Sequence, residues 1–143
     1  MKYKIEIHEN QEEDIIIYAK APTDTLQKIE ALLEVQQGEL FGYAKGDTVK
    51  LNGEDVCCFL VEAGKVYALT EHERWQVKER LYQLEQQYEK SFVKINHSCL
   101  VNLSAIAKFQ SFIDGSLSVV LKNGYQDYIS RRQLKSVKER MKW

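Results

Sequence analysis

Glycine-containing turns between short apolar segments are the feature that most constrains how this chain can fold. Asp114-Gly115 and Asn123-Gly124 are typical of β-hairpin turns, and Asn52-Gly53 and Gly64 separate further short segments. The segments between these turns contain the branched and aromatic residues that strands favour. The pattern predicts strands over residues 49–51, 56–61, 65–69, 74–77, 92–95, 106–113, 117–121 and 125–129.

Two helices accompany this series of strands. Leu81, Leu84 and Tyr88 form an apolar face that predicts a helix over residues 78–88. Leu134 and Val137 recur at helical spacing after Ser130, a favoured N-cap residue, and predict a helix that begins near residue 131 and closes the chain. The expected fold class is therefore α+β, mostly β.

Residues 1–46 are predicted to form a small β-β-α extension, followed by a β domain over residues 47–143, and the glycine-containing segment from Gly42 to Asp47 is interpreted as the boundary. Apolar residues alternating around Ile5 predict one strand, and residues 14–20 form a second apolar segment. A helix follows, with Asp24 as its predicted N-cap in a capping box. A unit of this size buries too little surface to be stable alone, so its helix should pack on the rest of the protein or on a second copy.

Composition places the chain among ordinary globular proteins. It has 143 residues, of which 44% are apolar and 29% charged. No apolar run approaches the length of a membrane span and no signal peptide is recognisable, so a cytoplasmic location is expected. Cys57, Cys58 and Cys99 lack the spacing of a disulfide framework or a zinc site and are expected to be buried small hydrophobes.

Residues that could carry catalysis are scattered along the sequence. His8, His72 and His97 have no second ligand at metal-binding spacing, and neither a phosphate-binding glycine loop nor a nucleophile motif occurs. A dyad of His97 and Cys99 would lack an orienting third group. We therefore predict no enzymatic activity and no cofactor or metal.

The net charge of −1 conceals a division along the chain. Residues 91–143 contain nine lysines and arginines against three acidic residues, a net charge of +6, whereas the first 90 residues contain 11 basic and 18 acidic residues, a net charge of −7. This imbalance favours a C-terminal part that faces a polyanion. Solvated surface lysines explain the imbalance about as well.

Arg131 and Arg132 stand at the predicted start of the last helix, where cations are unfavourable. A helix N-terminus carries roughly half a positive charge, and a cation there costs about 0.3 to 1 kcal/mol. Their position indicates that a negatively charged partner completes this end of the helix.

A second polar cluster follows the predicted strand over residues 92–95. Its members, all able to hydrogen-bond phosphates or base edges, are Lys94, Asn96, His97 and Ser98. An alternative is a turn in which Asn96 and Asn102 satisfy backbone groups and His97 is a half-exposed loop residue. The residues alone leave both interpretations open.

The order of these motifs resembles the LytTR-type DNA-binding domain of bacterial transcription regulators. FVKINHSCLVNLSAI is similar to the family's strand, short polar motif and apolar-Val-Asn sequence, with Asn96-His97-Ser98 and Leu100-Val101-Asn102 at the matching positions. FIDGSLSVVLKNGYQDYISRRQLKSVKERM is similar to its last hairpin and closing Ser-Arg, here Ser130-Arg131. The resemblance extends from about Thr48 to Met141.

The resemblance implies an elongated β fold in which loops, rather than a recognition helix, enter successive major grooves of double-stranded DNA. The family's contact positions correspond to His97 and Arg131, with Lys65 in a third, loosely aligned region. Asn96 stands where the family usually has histidine, and His97 where it usually has arginine. His97 can bond a base edge but lacks the bidentate fork of arginine.

The predicted DNA-binding set is completed by Arg132, Asn96, Ser98 and Lys94. Arg131 and Arg132 would hold a DNA phosphate at the helix N-terminus, which removes the unfavourable position of the two cations. Lys94 and Ser98 are expected to contact phosphates regardless of sequence.

The resemblance also implies partners. No receiver domain precedes the predicted binding domain, so phosphorelay control is not expected. Residues 1–46 look like the extension of stand-alone family members, which the resemblance associates with a neighbouring small membrane protein. The apolar stripe on the helix of this extension, together with paired DNA sites, predicts a homodimer.

Two other functions fit parts of the sequence. A protein-interaction module would dock an acidic partner on the basic C-terminal half. An RNA-binding β protein would need an aromatic stacking platform. Tyr125 and Tyr128 are the nearest candidates for such a platform, but both are expected to pack in the sheet.

Overall fold

The computed structural model describes residues 3–10, 15–37 and 39–143, and this part of the chain contains three helices and ten strands. In chain order they are α1 (Asp24–Gln37), β1 (Leu40–Ala44), β2 (Asp47–Leu51), β3 (Cys58–Glu62), β4 (Lys65–Leu69), β5 (Arg74–Val77), α2 (Leu81–Gln87), β6 (Phe92–Asn96), β7 (Cys99–Asn102), β8 (Ile106–Ser111), β9 (Leu117–Leu121), β10 (Gln126–Ile129) and α3 (Arg131–Arg140). Short 3-10 turns lie at Gly53–Asp55 and Leu103–Ala105. The predicted α+β, mostly β class is confirmed.

The strands form two antiparallel sheets. The larger sheet has the order β2-β1-β5-β4-β3-β7-β6, and the smaller sheet has the order β10-β9-β8. The hairpins turn at Gly64 (φ 76°), Gly115 (φ 84°) and Gly124 (φ 90°), where positive φ favours glycine. The turns predicted at these three glycines are confirmed.

The part of the larger sheet around β3 and β7 is buried on both faces. One face packs on α2, through a cluster that contains Phe59, Leu84, Phe92 and Leu100. The other face packs on the smaller sheet and α3, through a cluster that contains Cys58, Leu60, Cys99, Val101, Val119, Leu121, Ile129 and Val137. Because neighbouring residues of β3 and β7 face opposite clusters, these strands are continuous apolar runs rather than alternating ones.

The cysteines belong to this packing. Cys58 and Cys99 are buried and Cys57 is half-buried, and all three are free thiols. The interpretation as buried small hydrophobes is therefore confirmed for Cys58 and Cys99 and holds in part for Cys57.

The N-terminal extension differs from the prediction. Residues 3–8 and 15–20 are exposed and form no strand in the described part of the chain, so the two predicted strands are not found there. Asp14, the start of the second predicted strand, lies outside the described residues. A two-stranded unit is only marginally stable in water without further packing, which gives a physical reason for this difference.

The predicted helix of the extension is present as α1, with a different cap. Thr23 Oγ1 accepts a hydrogen bond from Leu26 N (3.2 Å), so Thr23 is the N-cap and Asp24 is the first helical residue. α1 lies beside α2, as expected for a helix that packs on the rest of the protein.

The larger sheet begins before the domain boundary that was predicted between residues 46 and 47. That position falls in the turn between β1 and β2, and β1 pairs with both β2 and β5. Gly42, interpreted as a boundary residue, lies inside β1. A Cβ on Gly42 would come within 2.7 Å of Trp75 Cβ, so this glycine permits close strand packing.

No helix in the described ranges has both the length and the apolar composition that crossing a membrane requires.

Candidate nucleic-acid interface

The turn between β6 and β7 presents His97 to solvent on a fixed support. Asn96, at the end of β6, is only 1% exposed. Its Oδ1 accepts a hydrogen bond from Ser98 N (2.8 Å), and its Nδ2 donates to Tyr128 O of β10 (2.9 Å). An asparagine that bonds the backbone two residues on builds a compact turn. His97 is the exposed residue at the centre of that turn.

Asn96 therefore holds the turn in place, which makes it a poor candidate for direct contact with a ligand. Its amide oxygen and nitrogen are both bonded within the protein, and almost no surface remains for a ligand. Asn96 and Asn102 both take the backbone-satisfying role that the alternative interpretation gave them. Ser98 is half-buried, beside the exposed His97.

The start of α3 lies against the same turn. Ser130 N donates to Ile95 O (2.8 Å), one residue before Asn96. Ser130 Oγ accepts from Gln133 N (3.3 Å), as expected of an N-cap. Together with the bond from Asn96 to β10, these bonds fix the first turn of α3 next to the end of β6.

Arg131 and Arg132 are exposed in the first turn of α3, and that turn contains no acidic residue. Both arginines follow directly after Ser130, whereas His97 follows directly after Asn96. The hydrogen bonds around these two residues bring His97, Arg131 and Arg132 to one edge of the molecule. Sequence alone could not establish this proximity, because the two segments are more than 30 residues apart; the bond from Asn96 to Tyr128 spans 32 positions.

The turn between β3 and β4 lies beside the turn that carries His97. Leu60 of β3 is paired with Cys99 of β7, and Val61 N donates to Ser98 O (2.8 Å). The β3–β4 turn that follows carries the exposed Lys65. Lys65, the loosely aligned member of the predicted set, is thus close to the turn of His97.

The turn between β8 and β9, residues 112–115, was not among the predicted contacts but lies at the same end of the smaller sheet as the start of α3. Leu117, which follows it, is paired with Ile129 of β10. Asp114 Oδ1 accepts hydrogen bonds from Ser116 N (2.9 Å) and Ser116 Oγ (2.6 Å). These bonds lower the pKa of the Asp114 carboxyl, and the charge of Arg131 lowers it further.

We call these four segments the turn edge. They comprise residues 63–65, 97–98, 112–115 and 130–132. The turn edge contains the exposed cations Lys65, Arg131 and Arg132, the exposed His97, and one carboxylate, Asp114. An exposed isoleucine, Ile113, stands next to that carboxylate. Such a set of turns can present hydrogen-bond donors and positive charge to an anionic surface.

Lys94 is not part of the turn edge. It is half-buried on β6 and lines a cleft with Arg140 of α3, with Glu85 of α2 and with Glu89, which follows α2. The two glutamates offset the charges of Lys94 and Arg140, so the cleft offers a phosphate no net positive charge. Among the predicted contacts, Lys94 therefore has the least favourable surroundings.

Three exposed lysines extend the positive charge away from Arg131 and were not in the predicted set. Lys135 and Lys138 are on α3, and Lys142 follows its end. With Arg131, Leu134, Glu139 and Trp143 they line a shallow groove of about 520 Å³. The available sequence pattern was the successive spacing of four, three and four residues that starts at Arg131.

The structure does not support a His97–Cys99 dyad. Cys99 is buried in the core, where a hydrogen bond with Cys58 and burial raise the pKa of its thiol. His97, in contrast, is exposed on the turn edge. In the described ranges, no group of three or more histidine, cysteine or acidic side chains is arranged to hold a metal ion.

Tyr125 and Tyr128 are on opposite sides of the smaller sheet. Tyr125 packs against the core and donates to Asp127 Oδ2 (3.0 Å), and burial raises the pKa of its hydroxyl. Tyr128 is exposed, contrary to the expectation that it packs in the sheet. The two rings therefore do not form a common stacking platform.

Comparison with known proteins identifies the family and the fold. The family model of the LytTr DNA-binding domain matches residues 46–142. The chain is similar to an uncharacterized HTH-type transcriptional regulator of Staphylococcus aureus strain NCTC 8325, with 35% identity over 99% of this chain and 98% of the relative. A counterpart in strain N315 is similar to the same degree.

A solved LytTr DNA-binding domain from Bacillus cereus has the same fold. Its TM-score is 0.69 at 15% identity, over 74% of this chain and 99% of that domain. The relatives carry a helix-turn-helix name, yet in the described part of this chain α1 and α2 are each followed by a strand, so no two helices are joined by a short turn. The fold, the match over residues 46–142 and the relatives agree, and the chain belongs to the LytTR family of DNA-binding domains.

Proposed function

We propose that this chain is a transcriptional regulator that binds double-stranded DNA through the turn edge. In this proposal His97 and Arg131 enter the major groove and meet base edges. Lys65, Ser98 and Arg132 contact phosphates on either side. Membership of a DNA-binding family supports the binding itself, and the turn edge is the surface on which cations and exposed turns coincide.

The choice of the turn edge as the binding surface rests on one structural observation. Asn96 links the His97 turn to β10, and Ser130 links the start of α3 to β6, so one side-chain and one main-chain hydrogen bond hold His97 and Arg131 at one edge. A surface that reads base edges must hold its side chains in fixed relative positions. The buried amide of Asn96 provides that support.

The position of the two arginines supports an anionic partner. Their charges are unfavourable at the N-terminus of α3, and no acidic residue within the first turn of that helix offsets them. A DNA phosphate at this site would be bound by free backbone N–H groups and by both guanidinium groups. Binding would then remove the unfavourable charge arrangement of the free protein.

Lys94 is a secondary contact in this proposal, for phosphates that flank the turn edge. Its cleft also contains Glu85 and Glu89, so its contribution should be the smallest of the predicted cations. The lysines on the outer face of α3 are better placed to follow the backbone of a duplex beyond Arg131.

We further propose that the regulator acts as a homodimer on repeated sites and that residues 1–46 mediate this association. A neighbouring small membrane protein is a second proposed partner of these residues. Large apolar side chains of the N-terminal segment are exposed, which supports a role of this segment in binding a partner.

The direct test is substitution of Arg131. Binding sites are first selected from a random duplex pool, and gel-shift titration then compares the wild type with Arg131→Ala. The loss of a bidentate base contact should weaken specific binding by about 1 to 3 kcal/mol. Lys50→Ala is the matched control, since Lys50 is an exposed cation on β2, at the opposite end of the larger sheet from β6.

An unchanged affinity of Arg131→Ala for the selected site would contradict the assigned role of Arg131. An equal loss for Lys50→Ala would indicate that only total charge matters, and the turn edge would then have no special role.

A second candidate function is docking of an acidic protein partner, and the groove on the outer face of α3 favours it. That groove combines four cations and one acidic residue, Glu139, with the apolar surfaces of Leu134 and Trp143, a net positive and partly apolar lining that suits an acidic amphipathic peptide. A purified protein that ignores duplex DNA at low salt would favour this function over DNA binding.

A further inference from the structure

The N-terminal segment exposes a row of large apolar side chains that this chain does not cover. Tyr3, Ile5 and Ile7 are 86%, 75% and 89% exposed. They alternate with Lys4 and Glu6, whose side chains form an ion pair (2.5 Å). The backbone here is not helical and has no strand partner in the described part of the chain. The segment therefore has an amphipathic strand pattern without a sheet.

The charges in this segment discriminate between the ways in which two copies could pair. In a parallel, in-register pair, each lysine would face a lysine. In an antiparallel pair centred on Glu6, the two copies of Glu6 would face each other, and in one centred on Lys4, the two lysines would. Like charges directly opposite each other destabilise strand pairing.

One antiparallel register has no such conflict. When the pair is centred on Ile5, Lys4 faces Glu6 of the second copy, and Glu6 faces its Lys4. Tyr3 then faces Ile7, and Ile5 faces Ile5, so that every apolar side chain lies on one face of the two-stranded unit. This arrangement is two-fold symmetric and self-complementary, which is what a homodimer interface requires.

We propose that residues 3–7 pair antiparallel with the same residues of a second copy, with the two-fold axis at Ile5. This inference specifies the dimer of the proposed function and rests on it. The occupant is a second copy because both members of each ion pair occur in the one segment. The segment ends at the turn over Glu9 and Asn10, which limits the pairing to this short stretch.

The strand pair also explains why these residues form no sheet in a single chain. A strand gains its stability from a partner, and the partner in this proposal belongs to another molecule. Ile15, Ile16 and Tyr18 are also exposed. Two sites on one duplex would raise the effective concentration of the two copies and favour the dimer further.

A charge exchange tests the register. The full chain is compared with Lys4→Glu, Glu6→Lys and the double variant by sedimentation velocity across micromolar concentrations, without DNA. Each single change puts like charges opposite each other twice per dimer and should weaken dimerisation about tenfold. The double variant restores opposite charges in this register and should return to the wild-type dissociation constant. Lys20→Glu is the control, since Lys20 is exposed outside the paired residues.

A wild-type chain that stays monomeric overturns the proposal, and so does a double variant that dimerises no better than the single ones. A monomeric chain would leave the exposed residues for a different protein partner. At a concentration where all of these chains are monomeric, circular dichroism should show equal unfolding temperatures, because the exchanged residues are exposed.

Binding of a duplex with one site separates this inference from the proposed function. All four chains should bind such a duplex equally, since the changes lie outside the turn edge. If even the wild type binds no duplex, the proposed function fails, while the sedimentation result still decides the register.

Discussion

The turns at the two ends of β7 are both held by a buried asparagine, but they differ in what they present to solvent. At one end Asn96 Oδ1 accepts from Ser98 N (2.8 Å), and at the other Asn102 Oδ1 accepts from Ser104 N (3.0 Å). Each asparagine also donates to a distant carbonyl at 2.9 Å, Asn96 to Tyr128 O and Asn102 to Val56 O. Both amides are buried, at 1% and 4% exposure.

The two turns differ in their middle residue. His97 is exposed in the first turn, whereas Leu103 is half-buried in the second and packs against the core. The asparagine therefore fixes the backbone, and the residue after it decides whether the turn faces solvent or the core. In the proposed function, Asn96 supports the turn that contacts DNA, whereas Asn102 supports only the fold.

The largest expected effect is that of Asn102→Ala on stability. The substitution leaves the buried Val56 O and the Ser104 N without their partners and removes the N-cap of the second 3-10 turn. The free energy of unfolding should fall by about 2 to 4 kcal/mol. Urea unfolding measures this change.

DNA affinity decides whether Asn102 acts on the fold alone. At a temperature where Asn102→Ala is folded, its affinity for the selected site should equal that of the wild type. A clear loss of affinity would contradict the distinction between the two ends of β7.

Asn96→Ala should have a smaller effect on stability and a selective effect on binding. It frees Ser98 N and Tyr128 O and so releases the His97 turn from β10, at a cost of about 1 to 3 kcal/mol in unfolding free energy. Specific affinity should fall about tenfold, because a displaced side chain loses its base contact. Gel-shift titration with the selected site and with an unrelated duplex measures the specific and the non-specific affinity.

The unrelated duplex is the control for Asn96→Ala. Its binding depends on phosphate contacts and should change little. Equal losses on both duplexes would mean that Asn96 supports the charge of the turn edge rather than the position of His97.

The same comparison shows which features sequence could predict. Glycine turns at residues 64, 115 and 124 were predictable because their chemistry is local. β7 was visible only as the apolar pair Leu100-Val101, because burial on both faces removes the alternation that marks a strand. Gly42 was misleading, because sequence does not distinguish a glycine that lets Trp75 pack closely from a glycine that ends a strand.

The family motif named the candidate residues of the turn edge, but sequence could not give the surroundings of those residues. His97, Arg131 and Arg132 are exposed together, but their proximity depends on bonds between segments far apart in the chain. Asn96 has the hydrogen-bonding groups of a DNA contact, and only its burial shows that they are already used. Asp114 gave no sequence pattern that linked it to Arg131.

Asp114 extends the comparison to a third turn of the same kind, with a carboxylate in place of the amide. Ser116 and Arg131 lower the folded-state pKa of Asp114. The stabilisation by the Asp114 carboxylate is therefore fully present above its unfolded pKa, and it is lost as pH falls through its folded pKa. Asp114→Asn keeps the Oδ1 acceptor and has no titrating group. Its unfolding free energy should therefore lack this acid-range decline, as urea unfolding at a series of pH values would show.

Asp114→Asn should also have the smallest effect on binding, and in the opposite direction. The carboxylate is the one acidic group of the turn edge and lies near enough to Arg131 for the two charges to interact. Its removal should strengthen binding to selected and unrelated duplexes alike, by about twofold, because an exposed charge near the interface acts mainly through screened electrostatics. The gain should shrink as salt is raised. Asp47→Asn, on the exposed edge strand β2, is the control and should change nothing. Weaker binding by Asp114→Asn would show that the carboxylate holds Arg131 in its binding position, and the third turn would then support the site as Asn96 does.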